Sequence, residues 1–76
     1  MTGSLLRTAF DNVAGHFSNF ELMGKLVQEL ETHEEPIDEV IKILEEKSEG
    51  AEITLRTDIR ILINECRHLK SRKTTR

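Results

Sequence analysis

The sequence predicts an all-α fold, a small antiparallel bundle of three or four helices in a single domain over residues 1–76, expected to be dimeric. Three observations predict it. Apolar residues recur at steps of three and four along most of the chain. Residues that punctuate helices fall at intervals suited to short helices. At 76 residues the chain has material for one domain at most.

Thr2, Gly3 and Ser4 offer capping groups, and Leu5, Leu6, Ala9, Phe10, Val13 and Phe17 then share one face of a first helix, about 5–17. His16 to Asn19 reads as a break. Ser18 followed by Glu21 matches a capping box, in which hydroxyl and carboxylate each satisfy a free backbone N–H. A second helix, about 19–32, places Phe20, Met23, Leu26, Val27 and Leu30 together; the two helices could also form one bent rod, because Gly15 and Gly24 weaken a helix without forbidding it. Pro36 marks the clearest boundary, since proline suits only a first turn, and Glu35, Asp38 and Glu39 lie at the positive end of the dipole that follows. The third helix, about 36–48, turns Ile37, Val40, Ile41 and Leu44 inward, and Gly50 can close it in the left-handed conformation.

The last segment carries two conflicting periods. Ile53, Leu55, Thr57, Ile59, Ile61 and Ile63 alternate as in a strand. Leu55, Ile59, Leu62, Cys66 and Leu69 instead step by 4, 3, 4 and 3, which is a helical seam. A strand would leave Cys66 and Leu69 unexplained and would have no partner in the chain, so a helix over about 51–71 is expected, with a frayed basic tail at 71–76. The expected core is Leu5, Phe10, Val13, Phe17, Phe20, Leu26, Val27, Leu30, Val40, Ile41, Leu44, Ile59, Leu62, Cys66 and Leu69.

A core this small is marginal by itself, and such domains commonly recruit disulfides, a metal or a second subunit. Cys66 is the only cysteine, which rules out an internal disulfide and suits an intracellular setting, cytoplasmic or nuclear. Ile61, Leu62 and Ile63 are consecutive and point across about 200° of the last helix, too wide for a helix packed on one side. Either that helix is central to the bundle, or it packs on its own bundle and on a second subunit; the second is expected, a homodimer whose interface includes Ile59, Ile61 and Ile63.

Little in the chain suggests chemistry. His16, His33 and His68 are scattered, Cys66 lies on the apolar seam, and Gly3, Gly15, Gly24 and Gly50 are isolated rather than gathered in a phosphate loop. No enzyme activity, metal or cofactor is therefore expected. No stretch is apolar enough to span a membrane, and none is expected as a partner.

Charge is the sharper signal. Residues 1–55 hold four bases against twelve acids, a net of −8, whereas residues 56–76 hold seven bases against two acids, a net of +5. Arg56, Arg60, Arg67 and Lys70 fall within roughly an 80° arc of the last helix, and Arg72 and Lys73 extend it. Such a stripe can contact duplex phosphates, or pair with the acids of the third helix. Without Trp or Tyr, recognition of single strands by stacking is poorly served. The expected function is a non-enzymatic regulatory or adaptor module that binds another protein through helical surfaces as a homodimer, with duplex RNA or DNA binding through the basic stripe as the alternative.

Overall fold

The computed structural model describes residues 5–33 and 35–74, with side chains described through Ser71. Helix α1 spans Leu5–Val13 and runs into a single 3-10 turn at Ala14–His16. Helix α2 spans Phe20–His33, α3 Ile37–Glu49 and α4 Ile53–Thr74. The described residues contain no strand. The alternation over Ile53–Ile63 is thus overridden by the 4-3 seam, because a helix can bury Ile59, Leu62, Ile63 and Cys66 together.

Helix α4 is the spine. Its 22 residues rise about 33 Å at ~1.5 Å each, close to the longest extent of the molecule, 36 Å. Helices α1 and α3 both pack along it. Asp38 meets Lys70, Glu45 meets Arg67 and Ser48 meets Arg56, so α3 and α4 run antiparallel. Asn12 bonds Glu65 while Ser18 bonds Asp58, so α1 and the turn after it also run against α4. Helix α2 packs mainly on α1, where Arg7 donates to both oxygens of Glu31 at 3.3 and 2.9 Å. The Glu31 carboxylate accepting these bonds raises the Arg7 guanidinium above its ordinary value.

One core joins the four helices. It consists of Leu6, Ala9 and Phe10 from α1, Met23, Val27 and Leu30 from α2, Val40, Ile41 and Leu44 from α3, and Ile59, Leu62, Ile63 and Cys66 from α4. Leu6, Ala9, Met23 and Ile63 are additions to the core expected from sequence. Leu5, Phe17, Leu26 and Leu69 pack at its edge, half-buried. Phe20 is a correction: it stands at the first position of α2, lays its ring 5.5 Å from that of Phe10, and remains 51% exposed.

The helix ends depart from the sequence expectation in three places. Asn19, not Ser18, is the first residue whose carbonyl accepts a helical bond, from Met23 N–H at 2.9 Å. The one-residue shift takes Glu21 out of register for a capping box with Ser18. Gly50 has φ −100°, so it is not left-handed; α3 closes instead with tightened bonds from Gly50 N–H to Lys47 and from Ala51 N–H to Ser48. Finally, α4 continues to Thr74, past the point where fraying was expected. Before that end, Lys70 is tied to Asp38. The capping residues Thr2, Gly3 and Ser4 lie outside the described residues.

Candidate functional site

The basic stripe of α4 folds back onto the protein. Arg67 pairs with Glu45, and Lys70 with Asp38, both acids of α3. Arg56 turns its guanidinium to the end of α3, donating from Nε to the Ser48 carbonyl at 3.2 Å and from a terminal nitrogen to the Ala51 carbonyl at 3.3 Å. It thereby adds a second donor to the Ser48 carbonyl, which already accepts the Ala51 N–H, and ties down the link beyond α3. Arg60 is exposed in a polar furrow of about 510 Å³ that it shares with Glu45, Glu49 and Arg67. The side chains of Arg72 and Lys73 lie outside the described residues. The furrow is a seam of opposed charges between two paired helices, with little apolar surface to hold a ligand.

The three isoleucines chosen from the sequence as an interface have different places. Ile59 is 1% exposed and Ile63 5%, both inside the core, and only Ile61 is half-buried. The apolar width of α4 is absorbed between α1 and α3 on its two sides. This is the central-helix alternative, and it removes Ile59 and Ile63 from the surface on which they were expected to pair with another copy.

Sequence reasoning missed Asp58. Its side chain is 1% exposed, and its oxygens accept the backbone N–H of Ser18 at 2.9 Å and of Asn19 at 2.6 Å. A carboxylate on α4 therefore caps α2 from forty residues away, performing the part that a local glutamate plays in a capping box. Nothing local in the sequence marks it. The only hint is an acid at a core-facing position of an otherwise apolar seam.

Cys66 is fully buried and free. Burial pushes its thiol up from 9.0 to about 12, with the charge of Glu65 adding to the effect. A thiol so placed is neither a nucleophile nor a ready metal ligand at neutral pH. The described residues contain no group of three or more histidine, cysteine or acidic side chains arranged to hold a metal ion, and no helix among them long and apolar enough to cross a membrane.

An apolar groove remains. Helix α2 commits Met23, Val27 and Leu30 to the core, while Leu22 and Leu26 lie on an adjoining face at four-residue spacing. Because α2 leans on α1, its flank toward α3 and α4 is not closed. The groove there, about 420 Å³, has Leu22 and Leu26 on one wall and Leu55 and Ile59 of α4 on the other. Glu46, Lys47, Gly50 and Ala51 line the end of α3 and the link beyond it. Leu22 is 53% exposed at the rim. The link is short and tight, so Ala51 and Leu55 are held in fixed positions relative to α3.

No protein-family model matches this chain, and neither a curated protein nor a solved structure matches it in sequence or fold comparison.

Proposed function

We propose that this chain is a non-enzymatic regulatory or adaptor module that binds another protein through a helical surface, and that the groove between α2 and the α3–α4 junction is that surface. The observation carrying the reading is Leu22, 53% exposed at an open groove whose other apolar lining, Leu26 and Leu55, is half-buried. A soluble domain seldom leaves leucines aligned along an open groove without use for them. Grooves between helices are common receptors for amphipathic segments, whose apolar side chains recur at the same spacing.

Two further features support a protein partner over nucleic acid. Arg67 and Lys70 already hold carboxylates, and a phosphate backbone would have to displace both. Arg56 is engaged in closing α3. Self-association, expected from the sequence, remains part of the proposal only through a surface other than Ile59 and Ile63. A setting inside the cell goes with the free thiol of Cys66.

The test is a pair of substitutions on the two walls. Leu22→Asp and Leu55→Asp should abolish capture of the binding partner while far-UV circular dichroism stays helical, because Leu22 is half exposed and Leu55 lies at the core's edge. Partner binding that survives both changes would show that the groove is not the receptor.

A further inference from the structure

We propose that a second copy of this chain occupies the groove, the two α2 helices meeting antiparallel about a two-fold axis so that each Leu22 seats in the other copy's groove. The proposal rests on the docking reading above and names its partner. An interface about a two-fold axis is one patch meeting itself, so the patch must carry both a projection and the recess that receives it. This patch carries both. Leu22, 53% exposed, projects at the rim. The recess beside it is lined by half-buried Leu26 and Leu55 and by buried Ile59. Leu22 and Leu26 are four residues apart and share a helix face. An axis crossing α2 near Gly24 therefore sets Leu22 of one copy against Leu26 of the other.

Charge is the second observation. A patch that meets itself cannot carry an excess of one sign, because like charges are then forced together. The lining here is balanced: Glu46 stands beside Lys47, and Arg56 donates to the Ala51 carbonyl at the groove's end. On α2 the exposed charges alternate in sign, with Glu21, Lys25 and Glu29 following at four-residue steps. With Leu22 against Leu26, Lys25 of each copy comes beside Glu21 of the other, offset along the axis by roughly 3 Å. The pair is made twice across the two-fold.

The third observation is size. A core drawn from 76 residues is marginal, and Cys66, the only cysteine, offers no internal disulfide. Ile59 and Ile63 are spent inside the chain, so a surface for association lies elsewhere. The stretch Ser71 to Arg76 has no apolar side chain with which to cover the groove.

The chain can be followed by sedimentation equilibrium and by its backbone amide resonances from ~5 to ~500 µM, a span suited to the weak association that a small interface gives. The apparent mass should rise toward twice that of one chain. The resonances of Leu22, Leu26, Ala51 and Leu55 should shift with the same dependence on concentration. Leu22→Ser, at an exposed position, should keep the helicity and weaken self-association at least about tenfold. Lys25→Glu and Glu21→Lys should each weaken it at low salt, since each sets like charges together across the axis. An equimolar mixture of these two variants should associate again, because the facing charges are then opposite.

A chain that stays monomeric throughout would overturn this proposal and leave the groove open to a different protein, so the docking reading would stand on its own test. Association that leaves the four resonances still, or that Leu22→Ser does not weaken, would put the contact on another face and overturn it. A mixture of the charge variants that associates no better than either alone would overturn the antiparallel pairing, and the proposal with it.

Discussion

Asp58 shows how one side chain can join two parts of a fold. Its two oxygens accept N–H groups that precede α2, so the entry of one helix is fixed by a residue on another. A carboxylate accepting two backbone donors at the positive end of a helix is a strong arrangement when water is excluded. Asp58→Asn keeps the shape but gives one oxygen's place to an amide that cannot accept. It should destabilise the chain by about 1–3 kcal/mol in urea titrations. Ser18→Ala, which a local capping box would make the sensitive change, should cost much less, because Ser18 is exposed. The reverse order would mean that the local box is the working cap. Cys66 yields a second residue-level expectation. Its thiol ionises near 9.0 in the unfolded chain and near 12 in the folded one, so the folded state holds the proton more tightly. The stabilisation is present in full below pH 9 and is lost as pH rises toward 12. The urea midpoint of the wild type should therefore fall more steeply above pH 9 than that of Cys66→Val. Parallel profiles would mean that the thiol is accessible in the native state.

Helices are where periodicity reads best and where it also misleads. The seam of Leu55, Ile59, Leu62, Cys66 and Leu69 foretold α4, and all five are buried or packed at the core's edge. The breadth of Ile61, Leu62 and Ile63 was legible as well, yet it had two explanations, and periodicity along one helix cannot say whether its second neighbour belongs to the same chain. Here α1 and α3 are those neighbours. The consequence can be measured. Ile63→Asp places a charge at a position 5% exposed and should unfold the chain, visible as lost helicity and a collapsed urea transition. If Ile63 instead faced another copy, the same change would separate the copies and leave the helices intact. Helix ends were less readable than helix faces. A shift of one residue at Asn19 undid the capping box, and α3 closes with tightened backbone bonds, supplemented by Arg56, rather than with a left-handed Gly50.

Over the whole molecule, the division of charge becomes a clasp. The acidic stretch and the basic end were expected either to meet each other or to offer the bases to an outside polyanion. Arg67 with Glu45 and Lys70 with Asp38 are the meeting. Exposed pairs of this kind contribute only about 0–1 kcal/mol each, so their main consequence is to spend positive surface. The protein should bind duplex DNA or RNA weakly even at low salt, where phosphate attraction is strongest. The variant Glu45→Gln, which removes the carboxylate that Arg67 holds, should bind more tightly and with a steeper salt dependence. Equal duplex affinity before and after would show that the clasp does not govern the electrostatics of the surface.

Helical periods, Pro36 and the apolar seams were enough to place four helices within a few residues, because those signals act between neighbours along one chain segment. The charge division too could be counted directly. The cap from Asp58, the fate of Ile59 and Ile63 and the groove beneath Leu22 had no such local origin. Each depends on how far one helix leans toward another. The core seams of α2 and α4 are alike in pattern, yet α4 is enclosed on two sides while α2 rests mainly on α1. That difference arises from packing among residues far apart in sequence, where the volume available, and not the spacing of side chains, decides which leucine is covered and which stays exposed.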